Sequence, residues 1–174
     1  MRGSYYYLHW KIFSMLRLDE KDLRILEILQ SDGRAAVKRI AREVGSPVST
    51  VHSRIKRLER AGVIRGYRAV LDPRLLGLPV TAFILARVAY RVPGEEAEIS
   101  QREVAARVAR FREIQEVHIV AGEWDLLLKV RGASVEEVGR LVVDRLRAVK
   151  GIERTLTCVV FETVKESQEI PLGP

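Results

Sequence analysis

The chain has 174 residues and a formal net charge of +7 at pH 7, a length that allows one domain or two small ones. Its one cysteine, Cys158, excludes an intrachain disulfide and a cysteine-based metal site. No apolar run reaches the roughly 20 residues of a membrane-spanning helix, and there is no disulfide framework, so we expect a cytoplasmic protein without a membrane partner.

The positive charge is concentrated in the first half of the chain. Residues 1–74 hold 16 lysines and arginines against 8 acids, an excess of +8, whereas residues 75–174 hold 14 against 15. The excess indicates a polyanionic partner, although a basic surface that only aids solubility would look the same. The aromatic segment 1–17 is followed by no small-residue cleavage site, so it is interpreted as an N-terminal extension rather than a signal peptide. Two interpretations of this extension stay open: a segment upstream of an alternative start at Met15, and an arm that packs on a partner subunit.

Residues 18–62 are predicted to form a three-helix domain. Asp19, with Asp22 three residues later, is typical of a capping box, and the apolar residues that follow predict a helix over 19–31. A second apolar series at helical spacing ends at Gly45, because glycine readily takes the positive φ of a helix C-terminus.

The third predicted helix begins after this glycine. Ser46 is expected to cap it, with Pro47 in its first turn and Gly62 at its end. The letters "VIRGYRAVLD" then predict a strand over 63–72. A stretch rich in Pro and Gly follows and marks a domain boundary, so residues 63–79 are interpreted as a strand linker.

The second half, residues 80–165, follows a β-α-β-β-α-β order and predicts a ferredoxin-like domain, so the whole chain is α+β. Its predicted elements are a strand over 80–90, a helix over 93–111, strands over 117–121 and 126–130, a helix that Ser134 caps, and a strand over 152–164. The polar tail, residues 166–174, is expected to fray.

The third helix carries the clearest functional pattern. On a wheel of about 100° per residue, Val51, Ile55 and Leu58 cluster on one side, and hydroxyl and cationic residues occupy the rest. Small hydroxyl residues allow close approach to base edges, and cations neutralise phosphates. The alternative is a solvated basic helix. We predict that the following residues contact double-stranded DNA: Ser49, Thr50, His52, Ser53, Arg54, Lys56 and Arg57.

His52 has two interpretations, a contact to a base or phosphate and a neutral surface histidine. No second His, Asp or Glu lies at a metal-ligand spacing on this helix, so we expect no metal site there.

Two stretches resemble a known family. "LDEKDLRILEILQSDGRAAVKRIAREVG" with "STVHSRIKRLERAGVIRGYRAVLDPRLLGL" is similar to the DNA-binding half of the Lrp/AsnC, or feast/famine, transcription regulators, and "VAGEWDLLLKV" to their effector-binding RAM domain. The likeness covers about residues 18–165. It implies a transcription regulator without catalytic residues or cofactors. The family often has G-L-S-x-S-T-V where this chain has "GSPVSTV", so Ser46 and Pro47 depart from the pattern.

The loop "GEWD" is read differently with and without this resemblance. By itself it favours a hairpin turn in which Asp125 caps local amides and Trp124 packs on a neighbour. The family binds small amino acids near a G-x-x-D loop where subunits meet. The resemblance therefore implies an effector pocket lined by Ala121, Gly122, Trp124 and Asp125, with Thr155 and Thr157 as weaker candidates. The large Trp124 could instead fill that pocket.

The apolar strands "VTAFILARVAY" and "TLTCVVFETV" favour a homodimer formed through the sheet, and the resemblance implies assembly to octamers. A dimer would present two recognition helices to adjacent half-sites, as expected for a nucleoid-associated regulator. Two alternatives stay open. One is an architectural DNA-packing protein without an effector. The other is a haem-pathway decarboxylase, which resembles this family and would draw on His52 and His118.

Overall fold

The computed structural model describes residues 17–91 and 98–172. The chain divides into two compact units, one made of Met1–Val70 with Glu166–Pro174, the other of Leu71–Lys165. The predicted N-terminal extension, apart from its last residue, lies outside the described residues. Within the described ranges, no helix is both long and apolar enough to cross a membrane.

The first unit contains three helices: α1 (Glu20–Ser31), α2 (Val37–Val44) and α3 (Val48–Arg60). Asp19 caps α1, and its backbone N–H donates to the Asp22 carboxylate in return, which confirms the predicted capping box. The apolar stripes of the helices meet in one core. Its buried members are Ile25, Leu26, Ile28, Ile40, Ala41, Val51, Ile55 and Leu58.

The junction between α2 and α3 confirms one prediction and corrects another. Gly45 ends α2 with a φ of 62°, in the left-handed region that glycine takes without strain. Ser46 was predicted to cap α3, and this is wrong: Pro47 is the N-cap and no side chain caps the helix. The Ser46 hydroxyl instead accepts a hydrogen bond from Lys21 Nζ at 2.9 Å, which ties α1 to the turn.

The strand predicted over 63–72 is also wrong. Residues 63–79 are all described, and they form extended coil and turns with no strand. A strand requires a neighbouring strand to accept its backbone hydrogen bonds, and this segment pairs with none in the single chain. Most of its apolar residues consequently face solvent, and Val70 is 100% exposed, whereas Ile64 packs against the core of the three helices.

The C-terminal tail was predicted to fray, but its described residues 166–172 are bonded to the helical unit. Ile170 exchanges two hydrogen bonds with the Gln30 side chain: its backbone N–H donates to Oε1 at 2.7 Å and its carbonyl accepts from Nε2 at 3.1 Å. Leu172 packs against the apolar core of the helical unit. The tail is therefore a part of that unit. Its hydrogen bonds to Gln30 join residues that are 140 positions apart in sequence.

The second unit confirms the ferredoxin-like plan. In chain order it contains β1 (Val80–Val88), α4 (Gln101–Val108), β2 (Ile114–Ile119), β3 (Leu126–Gly132), α5 (Val135–Arg140, continued by the π-helical turn Leu141–Leu146) and β4 (Ile152–Val159). The strands form one antiparallel sheet in the order β2-β3-β1-β4. Ser134 caps α5 as predicted. The predicted helix over 93–111 is shorter, and its residues 93–97 lie outside the described ranges.

Two faces of this sheet differ in what covers them. Ile84, Ala86 and Leu128 lie on the face that packs against the helices and are fully buried. Alternate residues point to the opposite, outer face, where Leu85 lies opposite Leu127 on one side and Leu156 on the other. No element of the second unit, as described, covers this outer face.

Candidate functional site

The N-terminal half of α3 presents a row of polar side chains to solvent. Ser49, Thr50, His52 and Ser53 are all exposed, and no hydrogen-bond partner for their side chains occurs in the described part of the chain. Their exposure follows from the helix period, because Val51 and Ile55 turn the opposite side into the core. These four residues, here called the polar front of α3, can therefore bond to an external partner.

The two arginines that the sequence assigns to DNA contacts are bonded to carboxylates within the chain. Arg54 directs Nη1 towards two carboxylates of α1, at 2.8 and 2.7 Å from the Asp19 oxygens and 2.9 Å from Asp22 Oδ1. Arg57 donates to the other Asp22 oxygen. Asp22 is completely buried, whereas the two arginines are partly exposed. The structure thus places Arg54 and Arg57 in the packing of α1 on α3, one helical turn beyond Thr50 and Ser53 of the polar front.

These ion pairs perturb the groups that form them. The pKa of Asp19 lies below its ordinary value, first because its carboxylate accepts the backbone N–H of Asp22 and second because of the Arg54 guanidinium. The pKa of Arg54 is raised, with Asp19 as the main cause. Asp22 was missed as a site residue, although the sequence holds a signal: it lies at i−3 and i−4 from Ile25 and Leu26, on the buried side.

Lys56 also has a partner, since its Nζ lies 2.9 Å from Glu59 Oε2. The hydrogen bond from Lys56 is the main cause that lowers the pKa of Glu59. Glu59 accepts a second hydrogen bond from the Tyr67 hydroxyl at 3.2 Å, and burial is the main cause that raises the pKa of Tyr67. Glu59 therefore binds the Lys56 side chain and, through Tyr67, also the segment that follows α3.

The predicted effector loop forms a turn between β2 and β3. Gly122 has a φ of 131°, which side-chain-bearing residues rarely adopt, and like Ala121 it is exposed. Both oxygens of the Asp125 carboxylate are bonded within the chain: Oδ2 accepts the Val88 N–H at 2.7 Å, and Oδ1 accepts Gln101 Nε2 at 2.6 Å. Asp125 therefore joins the start of β3 to the end of β1 and the first residue of α4.

The remaining effector candidates lie on two faces of the sheet. Trp124 is half-buried, and the Arg154 guanidinium lies over its ring at 5.5 Å from the centroid. Arg154 is on the outer face, whereas Thr155 and Thr157 pair with Ala86 and Ile84 and thus lie on the helix-covered face. The structure brings Trp124 and Arg154 together and separates both from the two threonines.

Comparison with known families also divides the chain into two parts. The Lrp/AsnC ligand binding domain matches residues 81–170, and a winged helix-turn-helix DNA-binding domain matches residues 18–65. The chain belongs to the Lrp/AsnC family. In this family context it is a DNA-binding transcriptional regulator with a ligand-binding domain, and the helix-turn-helix is formed by α2 and α3.

Individual family members are similar to this chain along nearly their whole length. An uncharacterized HTH-type transcriptional regulator of Pyrococcus horikoshii is 45% identical over 149 residues, which cover 86% of this chain and 96% of the relative. The HTH-type transcriptional regulator FL11 of Pyrococcus abyssi is 39% identical over 155 residues, with coverages of 89% and 97%. Among solved structures, a transcriptional regulator of Neisseria meningitidis in complex with L-Met matches with a TM-score of 0.81 at 29% identity, covering 90% of this chain and 97% of that one.

Proposed function

We propose that this Lrp/AsnC protein recognises a specific DNA sequence through the polar front of α3 and is modulated by a small amino acid bound at its second unit. The observation that carries the first part is that the exposed side chains of Ser49, Thr50, His52 and Ser53 have no hydrogen-bond partner among the described residues. In a helix-turn-helix, the N-terminal residues of the second helix contact base edges in the major groove. Such an interface acts where the chromosome lies, in the cytoplasm.

The proposed quaternary structure is a homodimer formed through the outer face of the sheet, assembled further into an octamer. Its support is the apolar centre of that face, where Leu85, Leu127 and Leu156 adjoin Phe83. A dimer places two recognition helices against half-sites separated by about one helical turn of DNA or a multiple of it.

The proposed effector site is the loop 121–125 with its neighbours on β4. Each carboxylate offers about four lone-pair positions, and the internal bonds of Asp125 use two, so an α-ammonium group still finds an acceptor there. The relative from Neisseria meningitidis was solved with L-Met, and a small amino acid is accordingly our proposed ligand class. Trp124 forms one wall in this proposal, and Thr155 and Thr157 stay secondary candidates.

The competing function is DNA packing with little sequence preference, and one experiment separates the two. Selection from a random DNA pool should yield a preferred duplex for the wild type. Ser49→Ala and Ser53→Ala should each reduce affinity for that duplex by about 0.5–1.5 kcal/mol, roughly 2–12-fold, because one hydrogen bond to a base is lost. Affinity for random duplexes should hardly change, and gel-shift titration measures both.

Ser31→Ala is the matched control, since its exposed hydroxyl bonds only to the Ile28 carbonyl of its own helix. It should leave both affinities unchanged. A wild type with equal affinity for selected and random DNA would establish the packing function and reject sequence-specific regulation.

A further inference from the structure

The charge on helix α2 is divided into two stripes that differ in their pairing. Arg39 lies 2.9 Å from Asp32 and 3.5 Å from Glu43, so one stripe is neutralised within the domain. Lys38 and Arg42 lie one helical turn apart on a second exposed stripe. On a wheel of about 100° per residue, the two stripes flank opposite sides of the surface that Ile40 and Ala41 bury.

We propose that Lys38 and Arg42 bind phosphate groups of the DNA backbone beside the sequence that α3 reads. This inference rests on the proposed function, and among the cations of the three helices it assigns the phosphate contacts to α2. It differs from the sequence-based prediction, which placed the cationic contacts on α3 at Arg54, Lys56 and Arg57.

The pairing of the other cations supports this assignment. Every lysine and arginine of α1, α2 and α3 has a side-chain hydrogen bond or ion pair in the described ranges, except Lys38 and Arg42. The paired cations and their partners are Lys21 with Ser46, Arg24 with Glu27, Arg39 with Asp32, Arg54 with Asp19, Lys56 with Glu59, Arg57 with Asp22, and Arg60 with the Lys56 carbonyl. A phosphate that bonded to most of these would have to displace a carboxylate, whereas Lys38 and Arg42 are available without such a loss.

The position of Lys38 on its helix is also unfavourable without an anionic partner. It is the second residue of α2, a helix with no acid in its first turn, and a positive charge there opposes the helix dipole. Lys38 and Arg42 are in addition like charges at i and i+4, a spacing at which they repel each other. A phosphate between or beside them would relieve both effects, and the first helix of a helix-turn-helix is the one that crosses the DNA backbone.

The test compares Lys38→Ala and Arg42→Ala with Arg39→Ala in the full-length protein. All three variants remove one positive charge from an exposed position on the same helix, and alanine is a good helix former, so the control is matched in charge and position. Affinity is measured for the selected duplex and for random duplexes over a range of salt concentrations. Thermal unfolding shows whether each variant is folded.

Lys38→Ala and Arg42→Ala should each lower affinity for both duplexes by the same factor. Each should also make the slope of log K against log salt concentration less negative by about 0.9 per protomer bound, because one phosphate contact is lost. Arg39→Ala should leave the slope unchanged. If Arg39→Ala flattens the slope as much as the others, or if none of the three changes it, the assignment to α2 is wrong.

Failure of the proposed function would look different. It would be seen in the wild type alone, as the lack of any preference for the selected duplex, while the comparison of the three variants would still decide the phosphate contacts. A wild type that binds no DNA at all would overturn both proposals together.

Discussion

Asp22 links α1 to α3 through its side chain. Its buried carboxylate bonds to Arg54, Arg57 and the backbone N–H of Asp19. Asp22→Asn keeps the shape but removes the charge, and we expect the helical unit to lose about 1.5–3 kcal/mol, the usual contribution of one hydrogen bond to a charged group. The loss of stability is measured from the hydrogen-exchange rates of the amides in the three helices, which mass spectrometry detects.

Glu20→Gln is the control, because it removes the same charge from an exposed position in the same helical turn. It should change exchange rates little. Equal acceleration in both variants would mean that Asp22 acts only through the helix dipole.

At the residue scale, the sequence predicts which side chains are exposed and what chemistry they offer. It does not predict which distant residue each side chain contacts. The polar front of α3 could be predicted, because exposure follows from the period of one helix. The partners of Asp22 could not, since they lie 32 and 35 positions away and only the packing of α1 on α3 brings them together. Arg54 and Arg57 were therefore interpreted as DNA contacts. The structure shows them against carboxylates, and their contact with DNA stays a prediction.

At the scale of elements, the outer face of the sheet gives a prediction about assembly. Leu156→Glu places a charge in the apolar patch of this outer face, on the edge strand β4 and opposite Leu85. Burying an unpaired charge between two sheets is unfavourable, so we expect the variant to be monomeric or a much weaker dimer. Light scattering coupled to size exclusion measures the mass.

Thr157→Glu is the matched control for this variant. Thr157 is the next residue of the same edge strand and is also exposed, but it lies on the opposite face, opposite Ile84. Its mass should equal that of the wild type. If both variants dissociate, β4 contributes to assembly through its edge and not through the outer face.

Helices and their ends were largely predictable from the sequence, because caps and apolar periods are local. Asp19, Gly45 and Ser134 act as predicted. The errors fall where a distant partner decides the outcome. Residues 63–72 have the composition of a strand but no strand beside them, and the tail was expected to fray because nothing local indicates its bonds to Gln30.

At the scale of the whole molecule, the question is whether the effector loop influences DNA binding. If an amino acid binds beside Asp125 and changes DNA affinity, then the preferred duplex must change the affinity for that amino acid by the same factor, because the coupling is reciprocal. We expect one of the twenty amino acids to raise the melting temperature of the wild type and to show different affinities with and without the duplex in calorimetry.

Variants of the loop identify the site. Asp125→Asn retains an acceptor for Val88 N–H but lacks the charge that an ammonium group requires, so it should abolish the thermal shift and leave DNA affinity without ligand nearly intact. Glu123→Gln changes an exposed acid of the same loop and should retain the shift.

If the wild type binds nothing at millimolar concentration and Trp124→Ala gains binding, the Trp124 ring under Arg154 fills the pocket and the regulator is constitutive. If neither protein binds an amino acid, the loop is a turn held by Asp125, and the effector proposal is wrong.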